Sequence, residues 1–251
     1  MAEQTASAVR LSVVVPTYAR EPGIAATVGA VAAFLAGKPA DAEIVVVDDG
    51  SPDGTAEAAR AALAALGGRP AGRVIRLERN RGKGAAVREG MLAADGDIVL
   101  FTDDDLSTPI AEADKLVAAI EAGADAAIGS RALAASVIRV RQRRPRELMG
   151  KVFNALVRLL VLRGYPDTQC GFKAFRREAA RDVFSRLRTE GFSFDVEVLV
   201  LCRELGYRVA QVPVAWSDSR PSRLRFLKGS WGMLRELLGI RRRARRGLSS
   251  R

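Results

Sequence analysis

Five short apolar runs constrain the fold more than any other feature of this chain. "LSVVVP" (11–16), "EIVVVDDGS" (43–51), "RVIRLE" (73–78), "DIVLFTD" (97–103) and "ADAAIGS" (124–130) read as strands, several rich in β-branched residues. Their apolar stretches are continuous, not alternating, which requires cover on both faces of each strand. Helical segments lie between them. Pro22 opens a pattern that puts Ile24, Val28, Val31 and Leu35 on one face, with Gly37 after its end. Thr55 to Leu66 is an Ala-rich helix stopped by Gly67 and Gly68, "GKGAAVREGMLAADG" is a glycine-flanked helix, and Ile110 to Ala122 is another. Strand–helix alternation of this kind predicts an α/β fold: a mainly parallel sheet with helices on both faces.

The rhythm changes after residue 131. "RQRRPRELMGKVFNALVRLLVLRG" predicts a basic run and then an amphipathic helix, "CGFKAFR" a short strand, and "FDVEVLVLCRELG" a helix. "YRVAQVPVAW" reads as one further strand, and "RLRFLKGSWGMLRELLGIRRRARR" as a basic amphipathic helix with a polybasic end. No internal repeat or Pro/Ser-rich linker interrupts the chain. The expectation is one continuous domain over residues 1–240 with a polybasic tail over 241–251.

Composition narrows the chemistry. The chain has 251 residues, 48% of them hydrophobic, enough for a substantial core. No stretch of about 18 uncharged apolar residues is present, so no spanning segment is expected. The start, "MAEQTASAVRLSVVVPTY", reads as a short tail before a strand and not as a secretory signal. Cys170 and Cys202 fit no metal-ligand spacing and no disulfide framework, which suggests buried thiols in a reducing cytoplasm. Histidine is absent. Any catalysis therefore rests on carboxylates, Lys/Arg, backbone dipoles or an oxygen-ligated cation. The net charge of +11 divides unevenly, −7 over residues 1–130 and +18 over 131–251. An acidic first half suits a bound cation, and a basic second half suits an anionic partner.

In an open α/β sheet, ligands sit beyond the carboxyl ends of the strands. Here those ends carry "PTY", "DDGS", "TDDDLS" and "GSR", four polar clusters expected to converge on one edge. Aspartates and hydroxyls without His or Cys suit a hard cation, Mg²⁺ or Mn²⁺. Strand periodicity would turn Asp103 and Asp105 to one side and Asp104 to the other. The competing reading is capping of the following helix, which accounts for one acid but poorly for three. "NRGKGAAVREG" (80–90) is either a phosphate cradle or a glycine turn entering a helix. It matches neither the P-loop nor the G-x-G-x-x-G pattern, so neither a P-loop ATPase nor a dinucleotide dehydrogenase is supported.

Taken together, "VVVPTY", "VVVDDGSPDGT", "NRGKGAAVREG" and "FTDDDLSTP" resemble the successive motifs of family 2 glycosyltransferases of the GT-A (Rossmann-like) fold, the acidic cluster matching the family's D-x-D. The resemblance covers about residues 11–235. "DTQCGFKAF", "FDVEVL" and "VPVAWSDSRPSRL" look closest to the dolichyl-phosphate and polyprenyl-phosphate β-glucosyltransferase branch. The resemblance implies that Pro16, Tyr18, Val47 and Asp49 hold the nucleotide, with Asp49 accepting from the base edge. It implies that Asp103 and Asp104 contact nucleotide or ribose, and that Asp105, Asp103 and Ser107 hold Mg²⁺ or Mn²⁺ on the diphosphate. Arg131 and Arg223 stand where the family places phosphate-binding cations, Arg223 on the donor, and Asp167 where it places an acid facing the reaction centre. The family usually reads P-T-Y-N-E where this chain has Ala19 and Arg20; Glu21 matches after a one-residue shift.

The chemistry of the residues agrees with that resemblance. A nucleoside diphosphate leaving group needs its charge neutralised, which a metal and arginines supply. A lipid phosphate acceptor, with a second pKa of about 6, is largely ionised at neutral pH and needs no strong base. A hydroxyl acceptor would need one, and Asp167, Asp195 and Glu197 are the candidates. In-line attack on an α-linked donor inverts the anomeric carbon. The expected activity is an inverting transfer, of glucose from UDP-glucose or of mannose from GDP-mannose, onto a polyprenyl or dolichyl phosphate. The basic amphipathic helices suit an anionic membrane surface, at roughly 1 kcal/mol per basic residue, and imply peripheral attachment at the cytoplasmic face. A pI near 10.5 also raises an RNA-binding module, but no nucleic-acid motif is present and the acidic cluster would repel phosphates, so no nucleic-acid partner is expected.

Overall fold

Alternate residues of the apolar runs enter different cores, and this shapes the molecule. The computed structural model describes residues 10–38, 41–141, 144–218 and 226–245. The first part of the chain alternates as expected: β1 (Leu11–Thr17), α1 (Glu21–Ala36), β2 (Glu43–Asp48), α2 (Thr55–Ala64), β3 (Ala71–Arg76), α3 (Lys83–Ala93) and β4 (Ile98–Thr102). A single 3₁₀ turn (Ile110–Glu112) leads into α4 (Ala113–Glu121), followed by β5 (Ala126–Ser130) and β6 (Val137–Val140). The remainder comprises α5 (Arg144–Leu160), β7 (Phe172–Arg176), α6 (Arg177–Arg186), α7 (Phe194–Glu204), β8 (Val209–Pro213), β9 (Ala215–Ser217) and α8 (Phe226–Ala244).

Seven of the described strands form one sheet in the order β3-β2-β1-β4-β7-β5-β8. All neighbours are parallel except β7, which runs antiparallel to both β4 and β5. On one face, Val13, Val15, Ile44, Val46 and Leu100 pack with residues of α1, α2 and α4. On the other, Val14, Val45, Val47, Val99 and Phe101 pack with α3, α6 and α7. This is why the strands read as unbroken apolar runs. A third core joins α5, α7 and α8 through Val157, Leu199, Leu237 and Ile240. Both cysteines are buried and free.

The differences from the sequence reading have physical causes. β3 lies at the sheet edge and is largely exposed, so its pattern is weak and it begins two residues earlier than read. "YRVAQVPVAW" is two strands: β8 ends at Pro213, which has no N–H to continue a ladder, and β9 pairs with β6 in a separate two-stranded sheet. The basic end of the chain is helical as far as Ala244, so Arg241 to Arg243 belong to α8 and not to a tail. Residues 246–251 and Arg223 lie outside the described residues. Among the described residues no helix is long and apolar enough to cross a membrane.

Candidate active site

The carboxyl ends of β1, β2, β4 and β5 open on one edge of the sheet, as expected. The turn after β1 is tied to the turn after β2: the N–H of Ala19 donates to Ser51 Oγ at 2.9 Å and that of Arg20 to Thr55 Oγ1 at 2.7 Å. Ala19 sits at φ 50, in the left-handed region a residue with a Cβ seldom adopts. Pro16 and Val47 are register partners, and both are buried. The Val47 side chain belongs to the core, whereas Tyr18 is 46% exposed on the rim. Asp49 turns inward and accepts the N–H of Arg81 and of Gly82, each at 2.8 Å. Burial pushes its carboxyl up, and those two amides oppose the shift. Each carboxylate oxygen keeps a second acceptor position after such a bond.

The acidic cluster is a turn and not a strand end. β4 stops at Thr102, the N–H of Leu106 donates to Asp103 O at 3.1 Å, and Leu106 itself sits at φ 47. Strand alternation therefore does not direct Asp103 and Asp105, although Asp104 does diverge from Asp103. The Asp103 carboxylate meets Lys83 Nζ at 2.5 Å and lies against Gly171, where an added Cβ would overlap it. The Asp104 carboxylate turns to β1, accepting from Thr17 Oγ1 at 2.8 Å with Arg20 Nε at 3.9 Å. Burial pushes its pKa up to about 6, against the pull of Thr17 and Arg20. Asp105 accepts the N–H of Ser107 at 2.9 Å. Burial alone would lower the Lys83 ammonium, but Asp103, Asp195 and Asp105 outweigh it and hold the pKa above the ordinary lysine range.

The acids and hydroxyls of this turn suit a hard divalent cation. Asp103 already faces a positive charge, and the glycine beside it leaves the carboxylate room that a side chain would fill. Among the described residues no group of three or more His, Cys, Asp or Glu side chains could hold a metal. Mg²⁺ typically takes about one or two protein carboxylates and fills its remaining positions with water and phosphate oxygens, so a group of three is not required.

The predicted bases are all occupied. Asp167, 3% exposed, receives Arg131 Nε at 2.7 Å and Nη2 at 2.8 Å, together with the Arg131 N–H at 2.9 Å. Burial alone would raise its pKa, but Arg131 outweighs burial and holds the carboxyl below its ordinary range. Arg131 lies over the Trp216 ring, 5.4 Å from the centroid. Asp195 pairs with Lys173, a fully buried lysine that also donates to Cys170 O at 2.6 Å. Glu197 receives Arg243 Nη2 at 2.9 Å. The sequence reading did not single out Lys83, Thr17 or Lys173. Lys83 lay in the glycine-flanked "RGKG" stretch, which was the available signal. Arg20, a departure from the family pattern, stands beside Asp104, while Glu21 accepts the N–H of Gly54 at 3.2 Å.

A mainly parallel sheet whose carboxyl edge gathers three aspartates, a lysine and an Arg–Asp fork is consistent with a glycosyltransferase of the GT-A type. The model of glycosyl transferase family 2 matches residues 12–184, and the chain belongs to that family. It is 38% identical over 225 residues to the dolichyl-phosphate beta-glucosyltransferase of Drosophila melanogaster, covering 85% of this chain and 69% of that protein. It is 34% identical over 255 residues to the human protein of the same name, covering 88% and 77% respectively. Among solved structures, glucosyl-3-phosphoglycerate synthase from Mycobacterium tuberculosis, in complex with Mn²⁺, uridine diphosphate and glucosyl-3-phosphoglycerate, superposes with a TM-score of 0.68. That match has 23% identity and covers 92% of this chain and 80% of the other.

Proposed function

We propose that this enzyme transfers glucose from UDP-glucose to a dolichyl or polyprenyl phosphate, with inversion, at the cytoplasmic surface of a membrane. The observation that carries the reading is its similarity to dolichyl-phosphate beta-glucosyltransferases, 38% and 34% identical over most of the chain. The ion-paired acids support the acceptor class. A hydroxyl acceptor needs a base, yet Asp167, Asp195 and Glu197 each hold a cation. A phosphate acceptor arrives already ionised. In this reading Asp103 and Asp105, with Ser107, hold Mg²⁺ or Mn²⁺, which neutralises charge on the departing diphosphate. Asp104 and the turn after β1 face the nucleotide, and Asp49 holds the Arg81–Gly82 turn beside it. Asp167 fixes Arg131, whose fork uses Nε and Nη2 and turns Nη1 away from the carboxylate, toward phosphate. Arg223 serves as the donor clamp.

The helices supply the membrane contact. Leu148, Val152, Ala155 and Leu159 recur at helical spacing along α5 and are all exposed, beside exposed Lys151 and Arg158. Leu238 and Arg242 on α8 are exposed, as is Arg245 just past its end. An apolar stripe bordered by cations suits an anionic lipid interface. The test is transfer of labelled sugar from UDP-glucose, GDP-mannose and UDP-GlcNAc to polyprenyl phosphate and to free polyprenol, scored by lipid extraction. Label in the lipid with UDP-glucose and the phosphate is expected; a preference for polyprenol, or for GDP-mannose, would overturn the acceptor or the donor assignment respectively.

A further inference from the structure

The inner face of α8 reaches the donor turn through an unbroken series of contacts. Arg243 donates to Glu197 Oε1 from Nε at 3.2 Å and Nη2 at 2.9 Å, and from Nη2 to Thr189 Oγ1 at 2.9 Å. The other oxygen of Glu197 accepts the N–H of Thr189 at 2.7 Å and of Arg188 at 3.3 Å. Two turns earlier on α8, Glu236 accepts the N–H of Ser193 at 3.0 Å, and Ser193 Oγ donates to Met233 O at 3.3 Å. The 188–193 loop is therefore held at both ends by one helix.

The same loop caps α3. The first amides of a helix have no partner within it, and here those of Gly84 and Ala85 donate to Glu190 O at 2.7 and 3.2 Å. The fit is close enough to require glycine twice. Gly82 sits at φ 112, where a Cβ would overlap the Glu190 carbonyl, and a Cβ on Gly84 would meet the carbonyl of Thr189. The Glu190 carboxylate also pairs with the Arg81 guanidinium. What this cap fixes is the turn whose amides bind Asp49 and whose Lys83 faces Asp103.

We infer that Arg243, acting through Glu197 and the 188–193 loop, is a positioning residue for the donor side of the site, and that α8 is the latch holding Lys83 against the acidic turn. This inference rests on the donor reading proposed above. Neither Arg243 nor Glu197 touches Asp103 or Asp49; both act through Glu190. Glu197 is fully buried and Arg243 is 29% exposed, so truncating the arginine leaves Glu197 its two backbone amides but removes its counter-charge and lowers stability; Arg243→Lys, which keeps the charge, separates that loss from the positioning effect.

The experiment compares Arg243→Ala and Arg243→Lys with wild type in the full-length protein, by amide exchange resolved by NMR at Gly84 and Ala85 and by kinetics with UDP-glucose. The alanine variant is expected to exchange those amides faster and to raise the donor's apparent KM about tenfold, as loss of hydrogen bonds to a charged group implies, with kcat at saturating donor held within about twofold. Lysine should recover part of the change, because it restores the charge without the fork. Unchanged exchange would overturn the inference. So would faster exchange with an unaltered KM, because α8 would then support the fold alone. If wild-type enzyme is inactive with UDP-glucose, the donor reading fails, and the exchange rates still decide whether the latch holds α3.

Discussion

Truncating Asp167 tests whether this acid works as a base or as an anchor. Its carboxylate is 3% exposed and receives both Nε and Nη2 of Arg131, whose own side chain is 26% exposed. Asp167→Ala leaves that guanidinium facing an apolar gap, and breaking a buried pair from one side costs about 3–5 kcal/mol. At about 2–4 °C per kcal/mol for a chain of this size, the midpoint should fall by roughly 6–20 °C. Asp167→Asn keeps the shape and one acceptor oxygen and should lose about half as much. The pH dependence has a definite sign. The folded-state pKa of Asp167 lies below its ordinary value of 3.8. Its contribution is therefore fully present above the unfolded value and is lost as pH falls through the lower folded one. The stability gap between wild type and Asp167→Asn should be constant from neutral pH to about 5 and narrow only in stronger acid. Urea unfolding at a series of pH values measures the gap, and turnover with polyprenyl phosphate measures the role. An anchor predicts that the Asn variant loses about 10- to 100-fold in kcat, Arg131 being displaced but present. Loss of all turnover in a variant as stable as wild type would refute the reasoning and make Asp167 a base.

Three further outcomes follow from the geometry. Asp105→Ala should abolish Mn²⁺-dependent transfer without lowering the unfolding midpoint, because it removes a ligand and one of three clustered negative charges; full activity in EDTA would contradict this. Gly171→Ala should lose about as much activity while staying folded, since the new Cβ meets the Asp103 carboxylate; metal titration of the variant, read by activity and by calorimetry, checks it. Leu148→Glu and Val152→Glu should each weaken binding to anionic vesicles by about 10- to 100-fold, given about 1.5–3 kcal/mol for burying such a side chain. High salt should weaken it further through screening, and flotation assays with turnover on soluble acceptors separate docking from catalysis.

How much of this could be read from the sequence depended on burial. Strands covered on both faces declared themselves as continuous runs, and the polar residues just past their ends gather at one edge of the sheet. β6, "VIRV", is mostly exposed and carries no alternation, so it was not read. α6 was missed between two recognised elements, although Ala179, Ala180, Val183 and Phe184 form its buried face. The direction of β7 is not written in its pattern, because a doubly covered strand looks the same whichever way it runs. Lys173 sits at 0% exposure as the second residue of that strand, against every expectation for lysine, and its counter-charge Asp195 comes from another element. The same limit applied to the site. Asp167 and Arg131 were both identified, but that each occupies the other was visible only once residues 36 apart were brought together.

The reversed strand has a consequence for how such an enzyme diversifies. Because β7 runs against its neighbours, the segment that enters it, not the one that leaves it, arrives at the reactive edge: Phe172 faces Thr102 on β4, and Lys173 faces Ile128 on β5. Asp167 and Gly171 thereby stand in a seam between the acidic turn and Arg131. In the reading proposed above, the donor's diphosphate meets the acidic turn on one side of the seam, and the acceptor's phosphate meets Arg131 on the other. The two are stitched by a single strand that both must share. In that reading, new acceptors are explored by rewriting the loops around Arg131 while the acidic turn and the loop that caps α3 keep their hydrogen bonds, provided the entry to that strand stays small and acidic.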